Sequence, residues 1–559
     1  MVKTKIVATI GPSSFNEELL IKMAENGLST IRINTAHVEP GYITEVNKTV
    51  MKINKEHEKN IGIMVDLKGP ELRTGIFQGD SLKIDAGKKY SISDSGAKSD
   101  IQINYRISDY IDSGTIIAIN DGKVRFNVNN ISSGIIMATA LDSGSIRSRS
   151  RVNIPGKYIE LGVLTDRDKL FLDEGLKNMV NFYALSFVQT RENVYELEDY
   201  IYDRKGQGSI ISKIETKSGY DNIESIVRAS DFIMVARGDL GVELPLTEVA
   251  MAQKQIIKIS HRYAVPTIVA TQMLESMVNS DSPTRAEVSD VTNAIIDDTD
   301  AVMLSEETAI GKYPLEAVSY LYNISRFVES HNIDFPEPES FFMDPLAFSI
   351  AKGVRIMSQT IDVNSIMAFT KSGHTARIVS AIRPAKDIYG IVPSDWVARY
   401  INLMKGITPI IIPEQDQQSD DIYRLIEHIS MPGVIKPGDK TIIVSGSPAL
   451  YFGGTNSIRV ISIGTFVGRG YPVGKSVSGT INYGGNGTGN IILLEEYDSS
   501  INFSKYDGII IKSSVTNRII DQFMRLGKTL VYGTEITSKI DSNKKINIDG
   551  DTGIITYIN

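Results

Sequence analysis

At 559 residues the chain is far longer than a single binding module, and at roughly 150 residues per domain it holds three or four domains. A hydrophobic share of 42% and a charged share of 23% suit well-filled globular cores and exclude disorder, collagen and coiled coil. A net charge of -8 argues against nucleic acid or an anionic membrane surface as partner, and the absence of cysteine removes disulfides, thiolate metal sites and cysteine nucleophiles together. The opening MVKTKIVATIG has no apolar signal core and no long apolar run follows it, so a cytoplasmic location is expected.

Through the first 310 residues, short apolar runs alternate with helix-like stretches. The runs fall at 4–10, 30–34, 62–66, 181–187, 209–215, 231–236, 266–271 and 300–305, with helices such as 16–25 and 246–262 between them. Continuous rather than alternating apolarity marks parallel strands covered on both faces. Eight such strands predict a (β/α)8 TIM barrel. Between the third and fourth, residues 77–151 are rich in Ile, Ser, Gly and Asp without helical periodicity, which predicts an inserted β domain. The acidic, Pro-containing IDFPEPES at 333–340 reads as a linker, and strands near 365–369, 387–391 and 441–445 predict a separate α/β domain. From 465 the chain turns Gly-, Asn- and Ser-rich with short strands, a small C-terminal β/α domain. The expected domains are therefore a barrel over 1–76 and 152–333, an insertion over 77–151, an α/β domain over 341–464 and an extension over 465–559.

Active sites of such barrels lie at the C-terminal ends of the strands, so the residues closing each run matter most. Strand two ends in Arg32 and Asn34, and strand three in Asp66 followed by Lys68, Glu71 and Arg73. Strand five ends in Lys213 and Glu215, and strand six runs into Asp239. Glu215 and Asp239 offer hard oxygen ligands suited to Mg2+ or Mn2+ held jointly with a phosphorylated substrate. Arg32, Arg73 and Lys213 add the positive charge that stabilises a phosphoryl group in transfer. Thr271 and Gln272 close strand seven, and Ser305 with Glu307 closes strand eight, where a carboxylate and hydroxyl can relay a proton.

One Lys-x-Glu pair at a strand end is more often a surface ion pair than a catalytic one. Polar closure of six of the eight strands on one rim shifts the balance toward a site. His37 taken alone reads as a satisfied structural histidine. Two Gly-rich segments are not nucleotide fingerprints: Gly474-Lys475-Ser476 has Arg469 where a P-loop needs Gly, and GGNGTG at 484–489 does not fit GxGxxG.

These residues sit in stretches that resemble pyruvate kinases. The matches are TKIVATIGPSS at 4–14, DLKGPELRTG at 66–75, ISKIE at 211–215, MVARGDLGVELP at 234–245, ATQMLESM at 270–277, PTRAEVSDVTNA at 283–294 and MLSEETAIGKYPLEAV at 303–318. The resemblance covers about 1–464 and implies phosphoryl transfer from phosphoenolpyruvate to ADP, giving pyruvate and ATP, with Mg2+ or Mn2+ as cofactor. It implies that Lys213 neutralises the phosphoryl group in flight and that Glu215 and Asp239 hold the divalent metal. Arg32 and Arg73 match phosphate contacts, Arg237 and Gly238 the stretch around the substrate carboxylate, and Thr271 a residue beside the enolate carbon. Ser305 and Glu307 match a proton path, Asp121 a lid residue, and His37 a residue on the ADP side. A monovalent site is implied at Asn34, Asp66 and the Leu67 carbonyl; Ala36 removes one K+ ligand while Glu71 is the form that accompanies K+ dependence, so the two point in opposite directions. The loop Thr370-Lys371-Ser372-Gly373-His374-Thr375 resembles one that binds an effector phosphate, from a phosphorylated sugar or a nucleotide, although a plain helix N-cap explains it too. A homotetramer is expected on resemblance alone. Two other readings are a metal-dependent lyase or aldolase barrel acting on pyruvate and an inactive regulatory paralogue.

Residues 465–559 resemble the swivelling phosphohistidine domain of phosphoenolpyruvate-using enzymes. The six histidines stand at 37, 57, 261, 331, 374 and 428, so none lies in the extension. Val515-Thr516-Asn517 stands where the phosphate-accepting element is expected. The extension is therefore expected to be non-catalytic.

Overall fold

In the computed structural model the described residues are 2–558 apart from 121, 133, 158, 160, 332–343, 413–438, 447–453, 486 and 537–539. The expected linker at 333–340 lies outside them. The chain divides into two compact units, Met1–Pro345 with Asp395–Ile407, and Leu346–Ser394 with Thr408–Asn559.

In the first unit the strands Lys5–Thr9, Leu28–Asn34, Gly62–Asp66, Phe182–Leu185, Ser209–Ile214, Phe232–Ala236, Thr267–Ala270 and Ala301–Leu304 close into one barrel. Each pairs with its neighbours in parallel, as their unbroken burial requires. The register sets Asn34 beside Asp66 and Lys213 beside Met234, which brings strand ends two, three and five to one rim. The helix expected at 16–25 forms as Glu17–Glu25, with the Asn16 side chain accepting from the Leu19 amide at 3.1 Å. Leu246–Arg262 is helical over the expected span and buries Ala252, Ile256 and Ile257 at helical spacing.

The N-terminal floor of the barrel is covered by Asp395–Ile407, a stretch within the range expected for the α/β domain. Tyr400 meets the rings of Phe182 and Phe232 at 6.2 and 5.7 Å, and those two rings meet edge-on at 5.3 Å. Arg399 donates to Asn181 Oδ1 at 3.1 Å, Asn402 to the Asn60 carbonyl at 2.8 Å, and Lys405 pairs with Asp298 at 2.9 Å. Lys5 Nζ donates to the Ile407 carbonyl at 2.6 Å, and burial, partly opposed by Glu329, pushes its pKa down to about 8.

The insertion is all-β. Its six-stranded sheet runs Val152–Asn153, Ile116–Ile119, Val124–Ser132, Ile135–Ala140, Lys89–Ser93, Ile101–Gln102, and a two-stranded ribbon pairs Ser81–Ile84 with Gly144–Arg147. It has a core of its own around Ile92, Phe126, Ile136 and Ile146.

In the second unit the five-stranded sheet runs Ile407–Ile411, Asp387–Val392, Ser365–Phe369, Lys440–Ser445, Ser457–Ser462, the last strand antiparallel to its neighbour. The extension closes seven strands into a barrel, with Ile491–Leu494, Gly508–Ile511 and Thr529–Ile536 adjacent and parallel and the helix Asn517–Arg525 in the crossover. Lys440 Nζ reaches the fully buried Asp549 at 2.9 Å and also contacts Asp551.

Candidate active site

The rim of strands two to five carries one compact ionic cluster. Asp66 Oδ2 accepts from Arg32 Nε at 2.7 Å, and its Oδ1 lies 3.1 Å from Lys213 Nζ. The same Nζ lies 2.9 Å from Glu215 Oε1 and donates to Ser186 Oγ at 2.8 Å. Arg32 also donates to Thr9 Oγ1 at 2.8 Å, and the Phe187 amide donates to Glu215 Oε2 at 2.9 Å. Each side chain in this chain of contacts from Arg32 to Glu215 is at most 11% exposed. Burial alone pushes the Asp66 carboxyl up, but Lys213 and Arg32 together outweigh it and hold it below its usual range. Burial opposes the charge on Lys213, and the Asp66 and Glu215 carboxylates more than reverse this, so its pKa is raised. Glu215 is raised, by burial first and by repulsion from Asp239, against the pull of Lys213.

Strands six to eight supply the opposite wall. The Thr271 hydroxyl accepts from the Gly238 amide at 2.7 Å and donates to the Ala270 carbonyl at 2.6 Å. Arg237 donates to the Thr271 and Gln272 carbonyls at 2.7 and 3.1 Å and to Asp290 Oδ2 at 2.6 Å. Thr271, Gln272 and Phe187 all take left-handed backbone, φ 68°, 53° and 56°. For a β-branched threonine this is an outlier, held by the hydrogen bonds around it. Glu307 is buried and accepts from the Ser305 amide at 2.7 Å and the Leu274 amide at 3.1 Å. Burial raises its carboxyl pKa in spite of these donors, so the protonated form is favoured relative to a free carboxyl.

Asp239 is engaged by a residue with no local signal in the sequence. Arg151, which directly precedes the insertion's edge strand Val152–Asn153, contacts Asp239 Oδ1 and lies over the Phe187 ring at 4.7 Å. Among the described residues no group of three or more His or acidic side chains is placed to hold a metal. The donor pair Glu215 and Asp239 nonetheless fits a divalent cation. Both are hard carboxylates whose mutual repulsion raises Glu215, and a cation between them would relieve it.

Arg73 is folded onto Glu71 at 2.5 Å and onto the Arg149 carbonyl at 2.8 Å, and Lys68 lies 3.4 Å from Glu71. His37 is exposed on the turn after strand two and is not a core histidine. Asp121 lies outside the described residues. The oxygens assigned to a monovalent cation all have protein partners: Asn34 Oδ1 accepts from the Ala36 amide at 3.1 Å, the Leu67 carbonyl from Ser186 Oγ at 2.6 Å, and Asp66 from Arg32 and Lys213. A cleft of 710 Å3 between insertion and barrel is lined by Lys123, Arg125, Asp142, Arg237, Gly238 and Leu246. In the second unit Thr370–Thr375 joins Ser365–Phe369 to the helix His374–Ala381, with Gly373 at φ 93°. The Gly373 amide donates to Thr370 Oγ1 at 3.0 Å, and Thr375 Oγ1 accepts from Thr455 at 3.0 Å. Gly474 is a left-handed turn residue whose Cβ would meet the Lys528 carbonyl at 2.9 Å, so its glycine is explained without a nucleotide.

Two family profiles match in order, "Pyruvate kinase, barrel domain" over residues 1–318 and "Pyruvate kinase, alpha/beta domain" over 349–461. A pyruvate kinase of Thermoplasma acidophilum is 46% identical over 99% of this chain and 98% of its own. One from Agrobacterium vitis is 36% identical over 82% of this chain and 97% of its own. A crystal structure of a pyruvate kinase from Cryptosporidium parvum superposes with a TM-score of 0.76 at 32% identity, covering 82% of this chain and 96% of that one. The rim geometry thus sits in a chain that matches the family in both of its domains and, in one relative, over nearly its full length: the chain belongs to the pyruvate kinase family.

Proposed function

We propose that this rim transfers the phosphoryl group of phosphoenolpyruvate to ADP, with Lys213 as the charge that meets it in flight. The observation that carries the assignment is the placement of Lys213 Nζ between Asp66 and Glu215, 3.1 and 2.9 Å away, with Arg32 on the far side of Asp66. The carboxylates fix the ammonium and keep it charged, which is the preorganisation that stabilises a developing anion without reorganisation cost. Arg32 and Arg73 hold phosphate oxygens, Arg73 after leaving Glu71. Glu215 and Asp239 would hold Mg2+ or Mn2+, which would supply positive charge to stabilise the transferring phosphoryl group. The bond from phosphorus to the enol oxygen breaks as an ADP β-phosphate oxygen takes the phosphorus.

The enolate left behind lies against Thr271 and the Arg237–Gly238 turn. Protonation at carbon gives pyruvate, with the proton supplied through Ser305 from the buried Glu307. His37 serves the ADP side, and Asp121 takes the role of the lid residue. A K+ ion at Asn34, Asp66 and Leu67 would share oxygens that already accept protein hydrogen bonds, and Glu71 supports that requirement where Ala36 opposes it. Thr370–Thr375 binds an effector phosphate, from a phosphorylated sugar or a nucleotide, in a cytoplasmic homotetramer. No helix among the described residues is long and apolar enough to cross a membrane. The extension over 465–559 is a swivel-like domain that carries no phosphate. A relative spanning 97% of its own length leaves uncovered a share of this chain about the size of that extension. Supplying phosphoenolpyruvate, ADP and Mg2+ should yield pyruvate and ATP in equal amounts. Folded protein giving neither would refute the assignment and favour an inactive paralogue, and pyruvate released or consumed without ATP would favour a lyase or aldolase.

A further inference from the structure

We propose that Arg151 is a built-in counter-cation of the metal site, holding Asp239 until a divalent cation displaces it. The proposal rests on the reading that Glu215 and Asp239 are the metal ligands. In the structure each carboxylate is already neutralised by a basic side chain, Glu215 by Lys213 and Asp239 by Arg151. The two arrangements differ in kind. Lys213 is borne by the barrel strand that ends one residue before Glu215, whereas Arg151 comes from the insertion.

The main chain of Arg151 is tied to the insertion and its side chain to the barrel. Its carbonyl accepts from the Asn120 amide at 3.0 Å, and the next residues, Val152–Asn153, pair with Ile116–Ile119 as the edge of the six-stranded sheet. Its guanidinium lies over Phe187, and the Phe187 amide donates to Glu215. One side chain therefore contacts one candidate ligand and stacks on the residue that orients the other. Its exposure is 17%, against 30% for Asp239. Burial works against its charge, and Asp239, Glu215 and Glu71 together more than restore it, so the guanidinium remains a cation.

A metal ion and this guanidinium compete for the Asp239 carboxylate and repel each other. Loading the metal releases Arg151, and with it the insertion's hold on this rim. The device makes the substrate-free protein a weaker metal binder than its carboxylate pair alone would be, and links metal occupancy to where the insertion sits.

Mn2+ binding to the full chain without substrates, followed by the electron paramagnetic resonance of free Mn2+, tests this. Arg151→Gln should bind Mn2+ about tenfold more tightly than wild type, a gain of about 1.4 kcal/mol. Arg151→Lys, which keeps the charge but not the planar fork, should fall between them. Arg147→Gln, the same charge change at an exposed position of the insertion, should stay within about twofold. In chelator, Arg151→Gln should melt below wild type, and saturating Mn2+ should narrow the gap. Unchanged or weaker Mn2+ binding by Arg151→Gln, or an equal gain in Arg147→Gln, overturns the proposal. Asp239→Asn separates the two readings: if it leaves Mn2+ affinity intact, the ligand assignment has failed, and if it abolishes binding while Arg151→Gln changes nothing, only the competition has.

Discussion

Replacing Lys213 by Met removes the ammonium that joins Asp66 to Glu215 while keeping an unbranched side chain of similar length. Turnover should fall at least about a hundredfold, the loss typical for one preorganised group facing transition-state charge. Stability should fall as well. Among the described residues, Glu215, 1% exposed, then keeps the Phe187 amide, and Asp66, 3% exposed, keeps Arg32. Stranding a buried partner costs about 3–5 kcal/mol, and the surviving donors place the expected loss near about 3 kcal/mol. Because the folded pKa of Lys213 is raised, its contribution is complete below the usual lysine value of about 10.4 and is lost only as pH rises through the folded value. The titration of Lys213 itself should therefore leave the gap between wild type and Lys213→Met unchanged until pH approaches the usual lysine value. The gap should narrow in acid as Glu215, already raised, takes a proton in the mutant. Lys213→Met/Glu215→Gln should regain part of the stability and none of the activity. Urea unfolding at several pH values with steady-state kinetics reads both quantities. A folded Lys213→Met enzyme with near wild-type turnover, or one as stable as wild type, would refute the reasoning.

Thr271→Val should leave the Gly238 amide without its acceptor, costing about 1–3 kcal/mol and lowering kcat, whereas Thr271→Ser restores both; thermal melts and kinetics on the pair check this. Glu307→Gln should slow protonation at carbon, read as lost proton exchange into pyruvate. Burial raises the Glu307 carboxyl, so wild-type stability relative to this variant should fall as pH rises from the unfolded value near 4.3 through the folded one, as melts across that window would show. Lys371→Ala and Ser372→Ala should abolish activation by phosphorylated sugars or nucleotides without changing unactivated turnover, measured by titrating each effector class. Deleting 470–559 should leave kcat within about threefold, under about 1 kcal/mol of barrier, while lowering Tm, since Lys440 loses Asp549 and Asp551.

The barrel was readable because parallel strands buried on both faces write themselves as unbroken apolar runs, and the residue closing each run is the one at the rim. Arg32, Lys213 and Glu215 were found that way. Ser186 and Thr9, which complete the contacts of Lys213 and Arg32, have no distinguishing pattern, since a hydroxyl at a strand end is common. Arg151 follows two other arginines in RSRSR, and nothing local marks which of the three turns inward. The strand Ser457–Ser462 was missed because an antiparallel edge alternates, SIRVIS, and resembles loop. Closure of the extension into seven strands depends on pairings between distant segments, such as Thr465–Val473 with Thr529–Ile536 and Ile554–Ile558, that no short window contains.

The stretch Asp395–Ile407 gives the chain a topology that resists dissection. The polypeptide leaves the first unit, builds part of the second, returns to seal the barrel floor and departs again. A recombinant fragment ending near residue 345 would look like a complete catalytic domain on a domain map, yet it would lack its base. Phe182 and Phe232 would lose Tyr400, and Asp298 would lose Lys405. Any effort to express the barrel alone, or to graft its rim onto another scaffold, must carry those thirteen residues along, by circular permutation or as an added peptide.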